Sequence, residues 1–530
     1  MALYKAARFG IDWTVEAVQG GRAPVLITLD TSLHKPLYVQ IREQIRERIC
    51  SGALAVGDRL EPSRELARRL GVHRTTVSNA YAELEAEGLI QGTVGRGTFV
   101  TPLAATLRAP GRPRSRPRSD FYWDSLFALE SEDDSLGRLM ASASEPGMIS
   151  FAATHGSPEL SPVDLVRRAL DAALRREGAK LLQYGSSDGY PPLKQYLRAR
   201  LGRDGIAVQL DEILITSGCQ QSLDLLRRTL ISPGDTVVCE NPTYTGLWHV
   251  FDSPAVRLIG ARVGAEGMDL DFLEAVLSQN KVKLILVSPT FQNPTGRTMP
   301  LAARQRLLEL AARFQVPAAE DDIYSPLRYR GRDLPPLKAL DTTGLVIHMN
   351  SFSKVGFPGL RVGWVVASRR VIERLREAKQ RADLHTNLLG QAVLEEFGRR
   401  GWLDKLIRRT KSLYSHKLDV LCRAAQQFLP SEAKWDIPEG GMSVWVELPP
   451  GLDAGELLVK ARDRHVIFAP ARYFYFQDPQ HNAFRLCFTT VSDEQLGTGV
   501  RILGELLTEE ISKGKTGEKH APAGSGVALV

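Results

Sequence analysis

The 530-residue sequence predicts two folded units: a small α+β unit of three helices and a hairpin near the N-terminus, then a large α/β unit on a mainly parallel sheet. Three observations predict this. Residues 36–100 read as helix, short helix, tight turn, helix and two short strands. From about residue 146, short apolar strand-like runs alternate with amphipathic helical stretches. Between the two lies a stretch in which no apolar period survives. The chain is also too long for one ordinary domain.

Composition narrows the classes of function. With 43% apolar and 24% charged residues the chain reads as globular. No run approaches the roughly 18 consecutive apolar residues of a membrane span, so no membrane partner is expected. The leading MALYKAARFGIDWTVEAV carries charges throughout and lacks the apolar centre of a signal peptide. Five cysteines (50, 219, 239, 422 and 487) contain no C-x-x-C pair. That argues against a disulfide framework and against a zinc site, so no metal is expected and the expected compartment is a reducing cytoplasm. The net charge of +7 is spread over a long chain and says little by itself about nucleic acid.

Residues 1–30 read as an N-terminal arm, and 31–101 as the small unit. Leu37, Ile41, Ile45 and Ile49 recur every four residues and make one apolar helical stripe, closed by Gly52. After GDRLEPS a short helix spans Ser63–Leu70, with Leu66, Ala67 and Leu70 inward. Gly71-Val72-His73 turns the chain into a third helix over 74–88, burying Val77, Ala80, Tyr81 and Leu84 and stopping at Gly88. LIQGTVGRGTFV (89–100) reads as two strands around a Gly95-Arg96-Gly97 tip. This order is a winged helix-turn-helix.

The polar residues left outside it mark a nucleic-acid edge. Arg74, Thr75, Thr76 and Asn79 crowd the start of the third helix, where a recognition helix meets bases and phosphates, with His73 just before them. Ser63 and Arg64 open the second helix, which suits a phosphate. Arg96, between two glycines, suits a backbone or minor-groove contact. PLYVQIREQIRERICSGAL, RLEPSRELARRLGVHRTTVSNAYAELEAEGLI and GRGTFV together resemble the GntR family of bacterial regulators over about 65 residues. Glu61-Pro62 stands where that family usually shows Pro-Ser, and His73 replaces a common serine.

Residues 102–144 read as a linker. Proline, arginine and serine alternate through TPLAATLRAPGRPRSRPRSD, a charged tether that suits either a further DNA contact or a plain spacer. An aromatic cluster (Phe121, Tyr122, Trp123, Phe127) is placed to dock it onto the next unit.

The large unit, 145–512, carries strand-like runs EILITSG, TVVCEN, KLILVSP, VPAAED and LVIHMN, with helical QQSLDLLRRTL, LAARQRLLELAARF and VIERLREAKQRA among them. In such sheets ligands sit at the carboxyl ends of the strands. There lie a phosphate cradle at Gly218-Cys219-Gln220, a ring at Tyr244, an amide at Asn293, carboxylates at Asp321 and Asp322 with the phenol of Tyr324, and an amine at Lys354. Ser351 and Arg361 flank that lysine in SFSKVGFPGLRVGW. A lysine so placed suits condensation with an aldehyde while its neighbours hold a phosphate.

SPTFQNPTG and SFSK…LRVGW resemble the motifs of the fold-type I pyridoxal-phosphate enzymes, the aspartate aminotransferase superfamily, over roughly 145–510. The resemblance implies pyridoxal 5'-phosphate as cofactor and Lys354 as the Schiff-base lysine. It implies Asp321 at the pyridine nitrogen, with Asp322 as rival and the D-x-x-Y spacing favouring Asp321. Tyr324 and Asn293 then hold the phenolic oxygen, and Tyr244 stacks on the ring. Gly218, Cys219, Gln220, Ser351 and Arg361 hold the phosphate. Tyr184, in QYGSSDGYPPLKQYL, resembles the tyrosine that reaches the neighbouring subunit's phosphate. Arg485, in NAFRLCF, resembles the arginine that pairs with a substrate carboxylate.

Taken whole, the chain resembles the MocR/GabR-like regulators. That implies promoter DNA as partner, an amine or amino-acid effector (or the cofactor itself) as signal, and a head-to-tail, domain-swapped homodimer in the bacterial cytoplasm, on the nucleoid when bound to DNA. An active aminotransferase with an accessory DNA-binding unit is the alternative. The tail, 513–530, is polar and rich in glycine and alanine and is expected to be disordered.

Overall fold

The computed structural model describes residues 27–29, 35–51, 53–93, 97–102 and 145–518. Nearly all of the expected arm, the Gly52 cap, Arg96 at the wing tip, almost all of the linker and the end of the tail lie outside the described residues, while Ile27, from the end of the arm, is buried in the first unit's core. The described residues divide into two compact units, one before and one after residues 103–144.

In the first unit, helices α1 (Leu37–Ser51), α2 (Ser63–Leu70) and α3 (Arg74–Ala86) precede the antiparallel strands β1 (Ile90–Thr93) and β2 (Gly97–Val100). Ile41, Ile45 and Ile49 of the α1 stripe are buried against Leu66, Val77, Ala80 and Leu84. Leu37 and Leu70, at the ends of their helices, are only half-buried. Gly71 caps α2 at φ +66, a left-handed conformation in which a β-carbon is strained. The turn lets α3 start three residues later, capped by His73, whose ring accepts from the Thr75 amide. Glu61 ties two helices together: its carboxylate pairs with Arg69 of α2 at 2.7 Å, and its carbonyl accepts from the Tyr81 hydroxyl of α3 at 2.7 Å.

In the second unit eight strands form one sheet: β4 (Ile213–Thr216), β5 (Thr236–Asn241), β6 (Arg257–Gly264), β7 (Gly267–Met268), β8 (Val282–Val287), β9 (Ala318–Asp321), β10 (Val346–Ser351) and β11 (Gly363–Val366). β3 (Ile149–Ser150) lies apart from them. Their spatial order is β4-β11-β10-β9-β8-β5-β6-β7. β10, β9, β8, β5 and β6 run parallel, while β11 lies antiparallel between β4 and β10. β6 and β11 are additions to the strands legible in the sequence. Only two of the eight residues of β6 are buried, and β11 is four residues in a glycine-punctuated stretch, so neither shows a clean apolar run.

Side-chain alternation splits the core across the sheet. Ile213, Ile215, Trp364 and Val366 enter one cluster, while Leu214, Val365, Ile347 and Met349 enter another with the helix Cys219–Leu230. A smaller sheet joins β12 (Lys434–Trp435), β13 (Ser443–Glu447), β15 (Ala469–Pro470) and β16 (Ala483–Cys487), in the order β12-β13-β16-β15. β14 (Val466–Ile467) pairs with β3 in parallel, so the start of the unit is tied to its last third. The final helix spans Asp493–Glu518, six residues into the segment read as tail. Its Lys513 pairs with Glu510 one turn earlier, the i,i+3 support that the composition of the tail conceals.

Candidate cofactor site and recognition helix

β10 ends at Ser351 and runs straight into a short 3-10 turn, Phe352–Val355, that carries Lys354. The Lys354 amine donates to the Thr154 carbonyl at 3.0 Å and lies 5.8 Å from the centre of the Tyr324 ring. Burial lowers its pKa from the ordinary lysine value, and the nearby charge of Arg485 adds to the effect. Asp321 ends β9, the neighbouring strand, opposite Met349. Burial pushes its carboxyl up to about 6, against the Ile323 amide and Lys354, which favour the charge. Asp321 Oδ1 is buried and makes no hydrogen bond. Asp322 faces the other side of the sheet, among Glu320, His348 and Arg304. The alternation of one strand therefore separates two adjacent carboxylates into two environments.

The other expected groups arrive from the ends of neighbouring strands. Gly218, at φ +90, precedes the helix Cys219–Leu230, and a β-carbon on it would meet Arg361 Nη2 at 2.6 Å. Arg361 donates to the Ser217 carbonyl at 3.1 Å and faces Ser353 Oγ at 3.5 Å. Ser351 Oγ is engaged within its own turn, with Ser353 Oγ at 2.8 Å and the Val362 carbonyl at 3.1 Å. The hydroxyl facing Arg361 is thus that of Ser353, which in the sequence is only a flank of the lysine. Gln220 donates to the Gly246 carbonyl at 2.9 Å and so ties the helix start to the Tyr244 loop. The Tyr244 ring remains 38% exposed beside that helix start, where a β-carbon on Gly246 would meet it at 2.7 Å.

Asn293 and Arg485 meet: Arg485 Nη1 donates to Asn293 Oδ1 at 2.7 Å, and Nη2 to the Ala152 carbonyl at 2.6 Å. Arg485 is buried over the Phe474 ring, its Nε makes no hydrogen bond, and no carboxylate pairs with it among the described residues. Thr154 and Ala152 were not foreseen, because a backbone carbonyl leaves no residue-type signature. Tyr184 is not gathered with these groups on its own chain: it is 84% exposed and packs edge-on against the His385 ring at 5.9 Å.

This set fits pyridoxal phosphate on its own terms. A buried carboxylate oxygen awaits a donor, a buried amine is held by one carbonyl, and a glycine leaves room for a guanidinium at a helix start.

In the first unit Arg64, Arg74, Thr75 and Asn79 are exposed, Ser63 and Thr76 half-buried. Neither Arg64 nor Arg74 has a carboxylate partner among the described residues, whereas Arg42, Arg46 and Arg69 pair with Glu83, Glu87 and Glu61. Free cations therefore sit at the starts of α2 and α3. Arg59, also unforeseen, lies against Gly97 of the wing, where a β-carbon would meet its Nε at 2.6 Å.

Residues 156–503 match the aminotransferase class I and II family, and residues 37–100 match the gntR family of bacterial regulatory proteins. The HTH-type transcriptional regulator TauR of Rhodobacter capsulatus is 31% identical, over 89% of this chain and 96% of its own length. The "Probable rhizopine catabolism regulatory protein MocR" of Rhizobium meliloti is 29% identical, over 90% of this chain and 95% of its own length. Among solved structures, the α-aminoadipate aminotransferase LysN of Thermus thermophilus, complexed with N-(5'-phosphopyridoxyl)-L-leucine, superposes with a TM-score of 0.68 at 35% identity, over 74% of this chain and 100% of that one. The site is a pyridoxal-phosphate site of the aminotransferase fold, and the chain belongs to the MocR-type family, in which a GntR-type DNA-binding domain is joined to an aminotransferase class I and II domain.

Proposed function

We propose that this protein is a transcriptional regulator that binds promoter DNA through its winged helix and senses an amino compound at Lys354. The observation that carries the reading is the combination, in one chain, of exposed arginines at the starts of α2 and of the recognition helix α3, without carboxylate partners among the described residues, with a lysine–aspartate–arginine site. No membrane-length apolar helix is present among the described residues. Work as a homodimer in the cytoplasm, head-to-tail and domain-swapped, is part of the proposal. The 84% exposure of Tyr184 supports it, since a tyrosine of that resemblance serves the partner's site.

When bound, the cofactor supplies an aldehyde carbon open to amines and a ring that withdraws electrons. The chain's own residues do the rest. Lys354, with its pKa lowered by burial, presents an amine with a larger neutral fraction than an exposed lysine has. Asp321 would hold the pyridine nitrogen's proton through its unpaired Oδ1. Asn293 and Tyr324 would take the phenolic oxygen, and Tyr244 would stack on the ring. Gly218, Cys219, Gln220, Ser351 and Arg361 would hold the phosphate, with Ser353 added to them. Arg485 would orient the effector's carboxylate, which restricts the effector to a compound bearing both an amine and an acid. Ser63, Arg64, His73, Arg74, Thr75, Thr76, Asn79 and Arg96 would contact DNA.

For this site to regulate, the effector must bind two states of the protein with different affinity, a coupling of typically 1–3 kcal/mol. Lys354→Ala is expected to remove both the cofactor's visible absorbance and the effector's influence on DNA binding, measured by fluorescence anisotropy on promoter DNA. An effector response that survives unchanged would sink the sensing mechanism. The same residues make a transamination half-reaction chemically possible. Sustained turnover of an amino acid with a keto acid would favour the enzymatic alternative, and a DNA affinity set by the cofactor alone would make the cofactor the signal.

A further inference from the structure

On the other face of the sheet from Asp321, a cavity of about 400 Å³ opens beneath β9, β10 and β11. Four polar atoms in its wall are buried and make no hydrogen bond: Asp322 Oδ1, His348 Nε2, Trp364 Nε1 and Arg328 Nη2. Their residues are 3%, 1%, 4% and 5% exposed. Buried polar atoms are nearly always paired, so four orphans facing one void mark a place built for an occupant.

The rest of each group is already committed. Asp322 Oδ2 accepts from the Ser325 hydroxyl at 2.7 Å. His348 Nδ1 lies 3.0 Å from Glu320 Oε2, and Glu320 also accepts from the Leu337 and Lys338 amides. Arg328 pairs with Glu439 through Nη1 and lies 3.6 Å from Asp333 through Nε. What remains free is the Asp322 acceptor, the Trp364 indole and Arg328 guanidinium donors, and the second imidazole nitrogen of His348. Asn350 pairs with Trp364 in register and donates through Nδ2 to the Asp322 carbonyl, so Asp322 and Trp364 lie two strands apart.

An acid acceptor on one strand and an indole donor two strands away, on the same void, suit a small molecule that carries an ammonium and a carboxylate. The rim carries both signs, with Arg200 and Lys411 beside Asp204 and Asp333. We propose that this cavity is a second ligand site, separate from the cofactor face, that takes an amino-acid-sized zwitterion with its ammonium on Asp322 and its carboxylate on Trp364 and Arg328. Phe352 and Val355 close the same cavity, so its occupant abuts the turn that carries Lys354. The proposal stands whether or not the chain is a regulator.

The test is isothermal titration of the full-length, cofactor-loaded protein with N,N-dimethylglycine. This tertiary amine, protonated at neutral pH, presents one N–H and a carboxylate and cannot condense with an aldehyde. Saturable binding is expected, weakened about tenfold or more by Asp322→Asn, the loss of a hydrogen bond between charged groups. Trp364→Phe, which keeps the ring and removes the donor, should weaken it severalfold. Retained visible absorbance of the cofactor shows that each variant is folded. No saturable binding, equal affinity in both variants and the parent, or binding lost only on Arg485→Lys overturns the proposal; the first of these leaves a cavity that holds water alone.

Discussion

Asp321 and Asp322 are neighbours in sequence and face opposite sides of one sheet, and that separation decides what each can do. Asp321 ends its strand opposite Met349 with one oxygen unpaired, whereas Asp322 accepts from the Ser325 hydroxyl and lines a cavity with His348. Burying Asp321 costs stability when it ionises. Its pKa rises from 3.8 to about 6, so the folded state keeps a proton that the unfolded chain has lost. The cost is absent below the unfolded value near 4, grows as pH rises through about 6, and is of order 3 kcal/mol beyond it. Asp321→Asn should therefore stabilise the cofactor-free protein at neutral pH by up to about 3 kcal/mol and give no gain near pH 4. Urea unfolding of both proteins at several pH values checks this. The same variant should lose the stabilisation that cofactor binding gives the parent. The spacing to Tyr324 favoured Asp321 in the sequence but left its neighbour as a rival, because alternation is visible only once the strand's register is fixed. Ser353 and Thr154 were hidden for a different reason: one looked like a flank, and the other acts through its backbone.

At the scale of elements, the strand ends were the most legible feature. An apolar run that stops at Asn, Gly or Asp marks a buried parallel strand and its carboxyl end at once, so β4, β5, β8, β9 and β10 could be placed from sequence. β11 could not, since its four residues sit among glycines and pair antiparallel inside a parallel sheet. Its place between β4 and β10 has a consequence for the site: it sets Gly363 opposite both Thr216 and Ser351, which draws the cradle at Gly218 close to the Lys354 turn. A β-carbon on Gly363 would meet the Gly218 backbone at 2.9 Å. In the first unit the apolar stripes of α1 and α3 were equally plain, and what they leave outside is the reading edge. Arg74→Ala should weaken DNA binding by a similar factor on different sequences and lower the slope of log K against log salt by about 1, as expected for one lost phosphate contact. Loss of discrimination at a single base instead would make Arg74 a base reader.

At the scale of the whole molecule, Tyr184 is the residue that one chain leaves unexplained. A largely exposed tyrosine beside His385, outside the site it resembles, fits a dimer in which each site borrows from the partner. Co-expressing a Tyr184→Ala chain with a Lys354→Ala chain separates the two arrangements. If Tyr184 serves the partner, each mixed dimer holds one site with both lesions and one with neither, and one site per dimer regains the parent's cofactor affinity. If it serves its own chain, the mixture restores nothing. The relation between DNA unit and cofactor unit was not legible in composition or period, because the residues joining them carry neither.

The central claim is that the Lys354 site and the recognition helix are coupled. It is tested most directly by titrating the cofactor-loaded protein with a panel of amino acids, followed by visible absorbance, with and without promoter DNA. One amino compound carrying a carboxylate is expected to shift the spectrum, and DNA is expected to change its affinity by a factor in the range of about 5 to 150. Linkage requires the compound to change DNA affinity by that same factor. Equal affinity with and without DNA, or continuous turnover with a keto acid, would contradict it.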